Sequence, residues 1–206
     1  MMIQTPPQQV FQREPDTAKG TARPRLRLAQ SWLERDRQRA LDTLNDIFRS
    51  GSPPEPPLEG RFAGELLAID ISRGLSRLFQ WLASHYQPWK GKAFDSSSQT
   101  GENIFSPRFE RFGRLFWPFY RQYHLDRSSA LRAFPFRTCI APGLFDPDRQ
   151  VLKIDYDLEA NPGLTVRRVL DELVQVDDRV YLGKAQVHWW WGRWQTLAYF
   201  TLAPGL

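Results

Sequence analysis

The chain reads as a mainly β protein of the α+β kind: an antiparallel meander that closes into a β-barrel or strongly curved sheet, with two or three flanking helices. Three observations predict this. From residue 131 onward, apolar and polar residues alternate at period two between short turn signals. Ahead of that region, apolar residues recur at helical spacing between proline-rich or polar breaks. A meander of this length also tends to close, because closure removes its exposed edges.

The elements follow in order. Residues 1–30 hold Pro6, Pro7, Pro15 and Pro24 and read as a disordered basic tail, with Arg13, Lys19, Arg23, Arg25 and Arg27 against only Glu14 and Asp16. Such an arm either touches anionic lipid or phosphate, or only solubilises the chain. Residues 31–206 read as one domain. Its first helix spans 31–50 and opens on a capping box, Ser31-Trp32-Leu33-Glu34. A stiff connector spans 52–57, and the barrel spans 58–206. Within the barrel, Arg61 to Asp70 reads as a strand. Leu75, Leu78, Phe79, Leu82 and Tyr86 predict a second helix. Trp89 to Asp95 is a short strand, and 96–101 a polar loop. Residues 104–123 space their aromatics like a helix, but Pro107 and Pro118 limit it. Strands are then predicted at Phe134–Ile140, Val151–Leu158, Arg167–Val176, Arg179–Trp190 and Trp194–Leu202.

Composition narrows the function classes. The 206 residues are 41% hydrophobic and 25% charged, which is globular rather than disordered. One cysteine, Cys139, excludes an internal disulfide framework, and three histidines leave little for a metal site. No metal or cofactor is expected. No apolar run approaches the roughly 18 residues of a spanning helix, and the N-terminus lacks the pattern of a secretory signal. A cytoplasmic protein is expected. Phosphate-loop, dinucleotide, serine-hydrolase and zinc-protease motifs are absent from the sequence. Cys139, in a predicted strand, reads as a small buried hydrophobe.

Candidate chemistry lies mainly on one strand. Leu182, Lys184, Gln186 and His188 share one face; Tyr181, Gly183, Ala185 and Val187 share the other. If the first set faces inward, Lys184 and His188 orient the head of an apolar ligand. If the second does, its small residues leave room for one, and Lys184 and His188 lie in solvent. The ligand-binding candidates are Lys184, His188, Tyr181, Arg137, Tyr156, Tyr199 and Trp89. Asp171 and Glu172 point to opposite faces, so a carboxylate pair would need a second strand, for example Asp155 near Asp171. The run Trp189-Trp190-Trp191-Gly192-Arg193-Trp194 is read either as a membrane or protein contact or as a plug of bulky rings. Nucleic acid is not favoured: the Phe residues of 108–116 have helical spacing, which suits a buried stripe.

Two blocks resemble an uncharacterised bacterial protein family. One is Pro88-Trp89-Lys90-Gly91-Lys92-Ala93-Phe94-Asp95 with Gly101-Glu102-Asn103; the other is Val151 to Leu158, Asn161-Pro162 and Leu170 to Lys184. The resemblance covers about residues 58–203, implies one compact unit and transfers no catalytic residue. In plan the meander is similar to calycin-like barrels, the lipocalins among them, without their disulfides. The expected function is non-enzymatic binding of an apolar or amphipathic, lipid-like molecule inside the barrel, headed by an anion that Lys184 meets. The alternatives are an enzyme using strand carboxylates or His188 and Tyr181, and a peripheral membrane or assembly protein using the basic tail and the Trp-rich hairpin.

Overall fold

In the computed structural model, which describes residues 22–70 and 88–205, eight antiparallel strands close into a barrel. They are β1 (Gly60–Ile69), β2 (Trp89–Asp95), β3 (Thr100–Phe105), β5 (Leu131–Pro142), β6 (Gln150–Asp155), β7 (Val169–Asp177), β8 (Val180–His188) and β9 (Trp194–Pro204). Pairing runs β3-β2-β1-β9-β8-β7-β6-β5, and β5 returns to β3 through Leu131↔Phe105 to Arg137↔Thr100. The short β4 (His124–Leu125) lies outside the ring on the free side of β5. Among the described residues, three helices accompany the sheet: α1 (Ala22–Trp32), α2 (Arg37–Ser50) and α3 (Phe109–Phe116).

The barrel has two apolar layers, one inside and one outside. Inside, Phe62, Phe94, Phe136, Ile154, Leu173, Tyr181, Phe200 and Leu202 pack together. Aromatic edge-to-face contacts such as Phe62–Phe94 at 5.5 Å and Phe62–Tyr181 at 5.6 Å fill the end away from β1's C-terminus. Outside, α1 and α2 lie on β7, β8 and β9. Leu44, Ile47 and Phe48 of α2, together with Leu26 of α1, cover Leu67, Val174, Leu182 and Tyr199. Each fully buried side chain of this kind contributes roughly 1.5–3 kcal/mol. Two interior approaches require glycine: a Cβ on Gly183 would lie 2.2 Å from the Phe200 ring, and one on Gly64 2.3 Å from the Trp89 indole.

Several sequence expectations change. The helix expected over 31–50 is two helices, with a break at residues 33–36. Ser31 does not open a helix; its hydroxyl donates to the Leu28 carbonyl at 2.7 Å inside α1. Asp36 is the N-cap of α2 and accepts from the Arg39 amide at 3.1 Å. Residues 22–30 belong to α1 rather than to the tail, because Leu26 and Ala29, three apart, bury themselves against the barrel. Residues 1–21 and the helix expected at 75–86 lie outside the described residues. The loop read at 96–101 hides the start of β3: the polar run Gly101-Glu102-Asn103 breaks the apolar alternation because Asn103 points inward to a polar partner. The strand expected from Arg167 begins at Val169, after a 3₁₀ turn at Val166–Arg168. Among residues 104–123, only α3 is helical. Cys139 is exposed, not buried.

Candidate functional site

The end of the barrel opposite the aromatic plug contains a cavity of about 320 Å³. Its walls are Leu66, Trp89, Phe105, Phe134, Val166, Val169, Ala185, Ala198 and Phe200, with Pro88 also lining it. Small residues make the room: Gly64 on β1, Ala185 on β8 and Ala198 on β9 all face inward. The volume lies at the lower end of the range for small-molecule pockets, about 300–1,000 Å³.

Four polar side chains interrupt this apolar lining. Lys92 of β2 reaches across the barrel to Asp171 of β7, Nζ to Oδ2 at 2.8 Å. The same ammonium donates to Asn103 Oδ1 at 2.9 Å and to the Tyr156 hydroxyl. Asn103 Nδ2 donates to the Tyr156 hydroxyl at 3.0 Å and to the Phe134 carbonyl at 3.3 Å. The Tyr156 hydroxyl lies 3.1 Å from Asp171 Oδ2, and the Trp89 indole N–H donates to Asn103 Oδ1 at 3.1 Å. Both contacts of Asp171 run through Oδ2, so its Oδ1 carries no hydrogen bond among the described residues.

Burial sets the electrostatics. It pushes the Lys92 ammonium down from its ordinary value, against the opposing pull of the Asp171 charge and hydrogen bond. Burial also raises the Tyr156 phenol well above its usual range, and the Asp171 charge adds to this. The tyrosine therefore stays a neutral donor and acceptor. The Lys92 ammonium is met by Asn103 and Tyr156 as well as by Asp171, and this pairing makes its burial tolerable.

Phe134 frames the site from β5. It sits at the bulge opposite Glu102 and Asn103 with φ of 55°, a left-handed conformation uncommon for an aromatic residue. Its amide donates to the Tyr120 hydroxyl at 2.5 Å and its carbonyl accepts from Asn103. Its ring meets Phe105, Trp117 and Tyr120 at 5.7, 5.2 and 4.8 Å. Burial raises the Tyr120 phenol too, so it remains protonated.

The seven sequence candidates separate. Tyr156 and Trp89 line the cavity. Tyr181 faces inward but belongs to the plug, against Phe62. Lys184 does not face the cavity: the inward set of β8 is Tyr181, Gly183 and Ala185, and Lys184 lies on the outer face beneath α2. Its Nζ meets Asp146 Oδ2 at 2.8 Å and Asn45 Oδ1 at 2.6 Å, and sits 4.1 Å from the Phe48 ring centre. It is neither the anchor of an anionic head nor in solvent. His188 is on the same outer face, stacked on Trp194 at 4.9 Å in a surface groove. His188 and Tyr181 thus point to opposite sides of the wall and cannot act together. Tyr199 packs outside with the helices, and Arg137 is exposed. Asp155 is exposed while Asp171 is inside, so no carboxylate pair forms between them. Trp190 and Trp191 are exposed and do not plug the barrel.

Lys92 and Asn103 escaped the sequence reading as site residues, and Asp171 entered it only as half of a carboxylate pair. The signal available was period: Lys92 is two residues from the inward Phe94, and Asn103 two from the inward Phe105. Among the described residues no cluster of His, Cys, Asp and Glu is arranged to hold a metal ion, and no helix is long and apolar enough to cross a membrane.

No family model matches the chain, and no curated protein matches it. Among solved structures it is similar to a protein from Thermomonospora curvata, with 11% identity over 89% of this chain and 99% of that one and a TM-score of 0.46.

Proposed function

We propose that the barrel binds one small apolar or amphipathic molecule without altering it, and that the molecule carries an uncharged polar head. The observation that carries this reading is the cavity itself: apolar walls surrounding one polar cluster. The apolar body would gain roughly 25 cal/mol per Å² removed from water. The head group follows from charge. Lys92 is already neutralised by Asp171, so an incoming carboxylate would meet a carboxylate and would have to displace it from the ammonium. A hydroxyl or amide instead donates to Oδ1 of Asp171, which has no hydrogen bond among the described residues, and leaves the ion pair intact.

The test is a fluorescence titration with decanol and with decanoate, read from the indole of Trp89 and its companions. Saturable binding is expected, with decanol favoured about tenfold, the worth of one hydrogen bond to a charged group. Ala185→Phe fills the cavity and leaves the polar cluster in place; it is expected to abolish binding. Lys92→Met with Asp171→Leu removes the pair as a unit, so the barrel stays folded while the preference for the alcohol disappears. No saturable response to either probe, or full binding by Ala185→Phe, overturns the cavity reading. Tighter binding of decanoate overturns the head-group assignment.

A further inference from the structure

We propose that the cavity end of the barrel is a docking face for an anionic lipid bilayer. The strand registers place several segments at this one end. Ile69 of β1 pairs with Ala198 of β9, Trp89 of β2 with Phe105 of β3, and Val169 of β7 with Val187 of β8. The β8–β9 hairpin, the chain leaving β3 into α3, and the 156–168 loop entering β7 therefore emerge together around the cavity. The Trp117 indole N–H donates to the Thr165 hydroxyl at 2.8 Å and ties two of these segments to one another.

The segments carry large apolar side chains that are exposed among the described residues. Phe119 is 91% exposed, Leu164 78%, Leu115 76% and Trp190 68%, with Trp191 and Phe116 more than half exposed. Burying such side chains would be favourable, and a soluble protein rarely gathers them at one end without a partner. Trp189 stacks on Trp191 at 4.8 Å, which holds the indoles together at the hairpin tip.

Charge identifies the partner. Residues 106–123, 156–168 and 189–193 hold seven arginines against three acids, which leaves +4 of the chain's +5. Glu110 and Asp157 are paired with Arg114 and Arg167, whereas Arg108, Arg111, Arg121 and Arg193 carry no ion pair among the described residues. A second copy meeting this face about a two-fold axis would set +4 against +4. Single-stranded nucleic acid would use the arginines and the rings, but Leu115 and Leu164 offer a base no π-face to stack on. A bilayer takes all three: indoles at the headgroup level, Leu and Phe at the acyl boundary, and arginines against anionic phosphates.

The experiment is vesicle flotation of the full chain without added ligand, so its outcome is independent of the cavity reading. Vesicles are phosphatidylcholine alone, or equal parts phosphatidylcholine and phosphatidylglycerol. The wild type is expected to float with the anionic vesicles, with a blue-shifted tryptophan emission, and to stay behind with the neutral ones. Trp190→Ser with Trp191→Ser, and Leu115→Ser with Phe119→Ser, alter exposed positions and are expected to leave the melting temperature unchanged while weakening partition about tenfold or more. Arg108→Gln, Arg111→Gln and Arg121→Gln together are expected to remove the dependence on phosphatidylglycerol. The proposal is overturned if the wild type floats with neither vesicle, or if the Trp variant floats as well as wild type. It is equally overturned if sedimentation shows that these side chains hold a dimer, or if the chain binds single-stranded DNA and not vesicles.

Discussion

Lys92 and Lys184 are each 2% exposed, and each holds Nζ 2.8 Å from an aspartate oxygen and within hydrogen-bond distance of an asparagine oxygen. Both lie against aromatic rings. Their surroundings differ. Lys92 and Asp171 line a cavity inside the barrel, with Tyr156 as the third partner. Lys184 and Asp146 are sealed beneath α2, and Asp146 is also met by Arg49, which with Asp148 carries the network to the surface. The same side-chain chemistry thus fits a ligand in one place and fastens a helix in the other. What separates the two is the empty space beside the pair, not the pair.

The largest effect is expected from removing one cation at a time. Lys92→Met leaves Asp171 buried with only a phenol against it, and is expected to cost about 3–5 kcal/mol in a denaturant titration. Lys184→Met leaves Asp146 with Arg49, and is expected to cost about 2 kcal/mol. Equal losses would mean that Arg49 does not neutralise Asp146.

Acid is expected to separate the outer pair more gently. Burial works to raise the Asp146 carboxyl, but the hydrogen bonds and charges of Lys184 and Arg49 outweigh it and hold the group below its ordinary 3.8. A lowered folded-state value stabilises the protein above 3.8, and that contribution is lost as pH falls through the lowered value. The melting temperature of wild type is therefore expected to exceed that of Asp146→Asn at neutral pH, with the gap closing on acidification. A gap that stays constant or widens in acid would contradict the pairing.

The smallest effect is expected at the start of α2. Asp36→Ala removes the N-cap and is expected to cost about 1 kcal/mol. Because α2 covers only the outer pair, decanol binding in the cavity is expected to remain at its wild-type strength. A parallel loss of binding would show that the two lysine sites are coupled.

The strands were legible because side-chain period is local: β2 and most of β5 to β9 show in the alternation of residues such as Leu152 and Ile154. Barrel closure was legible in outline, from strand number and short turns. Inside and outside on β8 were not. Tyr181, Leu182, Gly183 and Lys184 are all buried, one pair by the barrel interior and the other by α2, so no amphipathic contrast distinguishes the faces. Lys184 and Lys92 look alike in one dimension. Period, turns and the inventory of polar residues are local properties and can be read in one dimension. Which lysine meets the cavity depends on contacts distant in the chain, because β2 and β7 face each other only after the ring has closed between β3 and β5, and because α2 hides the outer wall as thoroughly as the core hides the inner one.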